Sequence, residues 1–237
     1  MCNTKSASTG VKFALLTPVQ QPTPIVFVVD GDVSVRQSLA SLIRHAGWHP
    51  ETFASAQAFL AHPGVDVPNC LVLDVVLPDL NGLDLQRRVA ADRIGTPIIF
   101  ITGYGDVPMS VRAMKAGAVE FLTKPCGNDA LLSAIHSCLE RSRTALRAEA
   151  NRQALRQSYA SLTVRERDVM TLVVAGLSNK RIGATLGISE FTVKLHRARV
   201  MRKMQADSVA GLVRKAASLN LTLPSDAPSE TVDRAAV

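Results

Sequence analysis

From Ile25 onward, short continuous apolar runs alternate with stretches whose apolar residues recur at helical spacing. Ile25 to Val29 (IVFVV) is apolar throughout, which predicts a strand covered on both faces. Val35, Leu39, Leu42 and Ile43 then predict a helix over 33–46, stopped at Gly47. The alternation continues with strands near 51–53, 70–73, 97–101 and 119–122. Helices are predicted between them over 56–61, 83–91 and 108–115, the last closed by Gly117. A final helix starts near Asn128, where Asp129 complements the dipole of its first turn. Strands alternating with helices predict an α/β fold, a doubly wound five-stranded parallel sheet with helices on both faces. Ligands of such a sheet bind beyond the carboxyl ends of its strands.

The pattern changes in the second part of the chain. Residues 141–160 are Arg-rich with a loose helical period (Leu146, Ala150, Leu155), which suits a helical linker over 144–160. From Ser161 four capped helices follow. Thr163 with Glu166 three residues on forms a capping box ahead of Val169, Met170, Leu172 and Val173. Ser178 caps a helix running from Asn179 to Leu186 and closed by Gly187. Ser189 caps the next, to about Met204, and Asp207 or Ser208 caps the last. Two short helices joined by a tight Gly-containing turn are a helix-turn-helix, so an all-α four-helix domain is expected over 161–220.

Charge separates the same two blocks. The net charge of +7 is uneven. Residues 25–140 hold 8 basic and 12 acidic residues, a balance of −4, and residues 141–220 hold 16 and 5, a balance of +11. A basic second block implies an anionic partner, nucleic acid or an acidic membrane surface. Aromatic residues are 4% of the chain, too few for a platform that stacks single-stranded bases. No apolar run reaches ~18 residues, so no membrane span is expected, and the first residues lack a signal-peptide pattern. Four cysteines without a C-x-x-C pair indicate neither a zinc ribbon nor a redox motif, and they suit a reducing cytoplasm. The Ser-, Thr-, Pro- and Ala-rich ends, 1–24 and 221–237, read as disordered.

The candidate chemistry sits at the strand ends. The first strand ends in Asp30-Gly31-Asp32, the third in Asp74, the fourth in Thr102 and the fifth in Lys124-Pro125. Carboxylates with a lysine suit Mg²⁺ and a phosphoryl group, and one aspartate can be the nucleophile that becomes an acyl phosphate. Each residue alone fits a simple strand-end turn; four polar ends in one register fit it poorly. In the second block the helix EFTVKLHRARVMRKM buries Val193, Val200 and Met204. Its charged positions Lys194, Arg197, Arg199, Arg202 and Lys203 are expected outward, where they suit the DNA major groove and its phosphates.

Residues 25–143 resemble the receiver domain of bacterial two-component response regulators, a flavodoxin-like fold. LVLDVVLPDLNGLDL is similar to the receiver phosphorylation segment and ITGYGDVPMSVRAMKAGAVEFLTKP to its second half. The resemblance implies phosphorylation at Asp74 by a cognate sensor histidine kinase. It implies Mg²⁺ held by Asp30, Asp32, Asp74 and the Val76 carbonyl, and a switch made of Thr102, Phe121 and Lys124. A cis Lys124-Pro125 bond is expected with it. Pro78 and Gly82 match the family's loop. The chain departs at Gly31, where the family normally carries a second adjacent acid. Loss of that carboxylate weakens Mg²⁺ binding, and Asp32 is the residue that could compensate.

LTVRERDVMTLVVAGLSNKRIGATLGISEFTVKLHRARVMRKM resembles the LuxR/FixJ-type helix-turn-helix. That resemblance implies base contacts from Lys194, Leu195 and Ala198, and phosphate contacts mostly from Asn179, Lys180, Arg197, Arg199, Arg202 and Lys203. His196 reads as structural. A transcription regulator, not an enzyme, follows: it binds double-stranded DNA, works with RNA polymerase, and dimerises on phosphorylation. Two alternatives stand beside it. One is a receiver that controls transcription without phosphate, motivated by Gly31. The other is a haloacid-dehalogenase-like phosphatase with Asp30 as nucleophile, motivated by the four residues D-G-D-V.

Overall fold

The computed structural model describes residues 22–92, 95–103 and 105–221. Of the two terminal stretches, only 22–24 and 221 lie within them. The chain divides into two compact units, 1–143 and 144–237.

The first unit is a five-stranded parallel sheet in the order β2-β1-β3-β4-β5. Its elements are β1 (Ile25–Val29), α1 (Val33–His45), β2 (His49–Phe53), α2 (Ala56–Ala61), β3 (Asn69–Leu73), α3 (Gly82–Asp92), β4 (Ile98–Thr102), α4 (Val107–Lys115) and β5 (Glu120–Thr123). Helix α5 (Asn128–Ala160) begins in this unit and runs through 160 as one helix. Alternate residues of the inner strands point to opposite faces, so each strand feeds two cores. Phe27, Val29, Leu71, Leu73, Ile98 and Phe100 pack with Ala56 and Phe59 of α2, Leu85 and Val89 of α3, and Ala113 of α4. Val26, Val28, Cys70, Val72, Ile99 and Ile101 pack with Ile43 of α1 and with Leu131, Ile135 and Leu139 of α5. Burial on both faces is why these strands are apolar at nearly every position.

The strand order reverses between β1 and β3, the switch point at which such sheets open a crevice. The ladder continues one residue past each strand. Asp74 N–H donates to Val29 O at 2.9 Å, and Asp30 N–H to Phe53 O at 3.2 Å. Backbone pairing therefore holds the two aspartates side by side at that crevice.

The second unit contains α6 (Val164–Val174), α7 (Asn179–Leu186), α8 (Glu190–Lys203) and α9 (Val209–Ser218). Their caps are Thr163, Ser178, Ser189 and Ser208, each accepting a backbone N–H of its helix's first turn. Leu162, Val169, Met170, Ile182, Val193, Val200, Met204 and Leu212 form the core, with Leu155 and Tyr159 of α5 against it. Two glycines make the α7–α8 turn. Gly187 adopts φ +67°, a left-handed conformation that side chains disfavour. A Cβ on Gly183 would sit 2.7 Å from Ile188 O, so only glycine lets the turn close onto α7.

The elements lie where the sequence pattern puts them, with ends shifted by a few residues. The largest shift is at β2, predicted over 51–53 and found from His49; His49 and Glu51 interrupt its apolar pattern.

Candidate functional site

Lys124 ties the carboxyl ends of three strands together. Its Nζ donates to Asp30 Oδ2 at 2.6 Å and to Asp74 Oδ2 at 2.8 Å. The side chains are 5% (Asp30), 13% (Asp74) and 24% (Lys124) exposed, so the group is shielded but reachable. Burial works against the charge on Lys124, yet its hydrogen bonds to Asp30 and Asp74 outweigh it and its pKa is raised. Lys124 reaches this position because its backbone N–H extends the β4–β5 ladder to Thr102 O at 2.8 Å. The Lys124-Pro125 bond that follows is cis.

The remaining carboxylate oxygens are also held. Asp30 Oδ1 accepts Asp32 N–H at 2.8 Å and Asp74 Oδ1 accepts Val76 N–H at 3.0 Å. Gly82 N–H donates to Val75 O at 2.8 Å, and a Cβ on Gly82 would lie 2.4 Å from Asp74 O. Glycine at 82 is therefore a steric requirement of the loop that presents Asp74. Thr102 is fully buried at the end of β4. Phe121 is half-buried, its ring centroid 6.1 Å from that of Phe100 and its edge over Gly105, where a Cβ would come within 2.9 Å.

Asp32 also has a structural role. Its Oδ1 accepts Ser34 N–H at 2.7 Å, which makes it the N-cap of α1. Among the described residues no three Asp, Glu, His or Cys side chains come together as metal donors. Asp32 Oδ1 is thus engaged by the N-terminus of α1, and any metal contact from Asp32 would fall to its Oδ2. Asp30, Asp74 and the Val76 carbonyl are still hard oxygens on a cation-seeking edge. Mg²⁺ keeps several waters in such sites, so the donor set fits the ion with one carboxylate fewer than two adjacent acids would supply.

Two residues around this site had no sequence signal. Arg36 Nη1 donates to Asp30 O at 2.7 Å and to Gly31 O at 3.0 Å, bracing the loop after β1. Asp79 accepts the N–H groups of Ala56 and Gln57 at 3.0 and 2.8 Å, which ties the Asp74 loop to the start of α2. The Gln57 N–H bond is the main reason its pKa is lowered. Both contacts join residues remote from each other's periodic pattern, so only the folded chain reveals them.

In the second unit the outward face of α8 carries Lys194, Leu195, Ala198, Arg199 and Arg202, and Lys180 is exposed at the start of α7. Lys194 Nζ lies 3.1 Å from Glu190 Oε1, one turn back. Two expected phosphate contacts instead meet each other: Arg197 Nη1 donates to Asn179 Oδ1 at 3.1 Å, and both are half-buried. Lys203 turns inward, a correction to the expected outward position. Its Nζ donates to Glu166 Oε2 at 2.7 Å and to Ser161 O at 2.9 Å. Glu166 is buried, so its charge requires a partner, and Lys203 is the one that supplies it.

With this geometry in view, the relatives are informative. Residues 26–136 match the response regulator receiver domain, and residues 160–216 match the luxR family of bacterial regulatory proteins. Nodulation protein W of Bradyrhizobium diazoefficiens is 48% identical over 198 residues, 84% of this chain and 87% of that protein. The chain belongs to the response regulators. Transcriptional regulatory protein FixJ of the same organism is 45% identical to this response regulator over 192 residues, 81% of this chain and 93% of FixJ. The solved structure of response regulator StyR is 47% identical, with a TM-score of 0.74 over 82% of this chain and 98% of that one. This response regulator thus pairs a phosphorylation-controlled receiver with a LuxR-type DNA-binding domain, the architecture of a two-component transcription regulator. That architecture implies DNA and a sensor kinase as partners. Among the described residues no helix is long and apolar enough to cross a membrane.

Proposed function

We propose that the receiver, residues 25–143, accepts a phosphoryl group on Asp74 and that this controls DNA reading by residues 161–220 through the helical segment 144–160. The observation that carries the reading is the Lys124 ammonium bridging Asp30 and Asp74 at 2.6 and 2.8 Å. An Asp74 oxygen attacks the phosphorus of a kinase phosphohistidine; the P–N bond breaks, the O–P bond forms, and the imidazole keeps the electron pair. Asp30, Asp74 and the Val76 carbonyl would hold Mg²⁺. The ion would neutralise charge on the phosphoryl oxygens. Lys124 leaves the Asp74 carboxylate and pairs with the new phosphoryl group, staying anchored by Asp30. The Thr102 hydroxyl turns to donate to the same group, and Phe121 swings into the space it vacates.

Output follows from charge and shape. The altered face favours a homodimer, and two linked reading heads on paired half-sites gain effective concentration. Lys180, Arg199 and Arg202 then contact phosphates, with Asn179 and Arg197 in support, while Lys194, Leu195 and Ala198 face base edges. The bound dimer acts on RNA polymerase in the cytoplasm. A phosphatase centred on Asp30 is less well supported, because the Asp30 side chain is only 5% exposed against 13% for Asp74, and the sequence match behind it spans four residues.

Incubation with acetyl phosphate and Mg²⁺, followed by intact mass, tests the assignment. A phosphoryl adduct that disappears in Asp74→Ala is the expected result. DNA binding with no adduct would favour phosphate-independent control. Turnover of phosphate esters lost in Asp30→Ala would favour the phosphatase.

A further inference from the structure

The solvent face of α8 carries an apolar row among its charged residues. Phe191, in the first turn, is 78% exposed and Leu195 is 45% exposed; Ala198 follows in the same row. The spacing i, i+4, i+7 stacks these three along one side of the helix. The opposite side holds Val193 and Val200, fully buried in the core. Phe191 takes no part in that core, so the fold gains little from its ring.

We propose that Phe191, with Leu195 beneath it, is a reader of thymine methyl groups and a specificity determinant of this DNA-binding domain. The inference rests on the DNA-reading role of α8 and adds to it a residue outside the expected contacts Lys194, Leu195 and Ala198. Of the four bases only thymine presents an apolar group, its C5-methyl, in the major groove. Residues near the start of a helix-turn-helix recognition helix are those that reach base edges. Phe191 is placed there. Lys194, Arg199 and Arg202 surround the apolar row with exposed positive charge. That field draws phosphates and presses the row into a groove. It also opposes a second copy of the chain on the same face, because like charges would meet. Lys194 can exchange Glu190 for guanine O6 and N7, so the preferred half-site contains a methyl-dependent thymine beside a guanine.

The experiment begins with selection of duplexes from a random pool by the full-length protein, wild type and Phe191→Ala, each in the presence of acetyl phosphate and Mg²⁺. Each enriched thymine is then replaced singly by deoxyuridine, which removes only the methyl group. For the wild type, replacement at one thymine per half-site is expected to weaken binding about fourfold, the effect of burying one methyl-sized group. Phe191→Ala removes the ring from both protomers of the bound dimer, so it is expected to bind the unmodified site about fifteenfold more weakly and to be indifferent to that replacement. Its affinity for random duplex should be unchanged, and Phe191→Leu should keep part of the sensitivity. Wild-type indifference at every thymine, or full sensitivity retained in Phe191→Ala, overturns the proposal while leaving DNA reading intact. A wild type that enriches no motif removes the DNA-reading role and this inference with it. A change of oligomeric state in Phe191→Ala would assign the ring to a second copy instead.

Discussion

At the scale of single residues, the receiver differs most from its family pattern at Gly31, and the difference is open to repair. A Cβ built at position 31 meets nothing nearer than Pro78 Cδ at 3.6 Å, an ordinary contact. Space is therefore not what keeps a side chain out. Arg36 holds the carbonyls of residues 30 and 31, so the loop is already braced for one. Gly31→Asp should add a carboxylate at the edge of the Asp30–Asp74 pair. The expected outcome is phosphorylation by acetyl phosphate at Mg²⁺ concentrations roughly tenfold lower than the wild type needs, the lower end of what one supporting ligand contributes. An unchanged Mg²⁺ dependence would show that position 31 does not face the ion. The acids, Thr102 and Lys124 were legible because strand ends can be counted along the sequence. Engagement of Asp32 as a helix cap was not, because its pattern D-G-D suits a metal and a cap equally.

At the scale of elements, caps and periods made the sequence readable. Thr163, Ser178 and Ser189 announce their helices by residue type alone, and each caps as expected. Contacts between elements have no such signal. Glu166 is legible as half of a capping box; its partner Lys203, on another helix, has no such signal, because spacing along α8 groups it with the outward charges. The pair is testable by pH. The hydrogen bond from Lys203 is the main cause of the lowered Glu166 pKa. A depressed acid stabilises the fold above its ordinary pKa of about 4.3, and that contribution is lost as pH falls through the depressed value. Glu166→Gln should therefore cost about 1.5–3 kcal/mol at pH 7, the range for a charged hydrogen bond, and the difference from wild type should vanish in strong acid. Hydrogen exchange of the α6 and α8 amides in the full chain measures it. Combination with Lys203→Met should cost less than the sum of the two single changes, by about 1–2 kcal/mol. Additive losses would mean that the two groups act independently.

At the scale of the whole molecule, the charge balance of +11 over 141–220 overstates what meets DNA. Lys203 is engaged by Glu166, and Arg197 braces Asn179. Of the expected phosphate contacts, Lys180, Arg199 and Arg202 remain as exposed cations, while Lys194 is assigned to base edges. Each phosphate neutralised contributes about 0.9 to the fall of log affinity with log salt. Three phosphate contacts on each of two protomers predict a slope of about −5.4 for a dimer on its paired site, and about −2.7 for a single protomer. Counting Lys203 and Arg197 as phosphate contacts would instead predict about −9. A salt titration of the full chain on a selected duplex, from low to physiological ionic strength, distinguishes these values. Lys203→Met adds a second check: the slope should stay where it is, because the ammonium it removes faces a carboxylate within the domain. Arg202→Ala should reduce the dimer slope by about 1.8, one contact from each protomer. Net charge thus points to the class of partner, while folding decides how much of that charge reaches it.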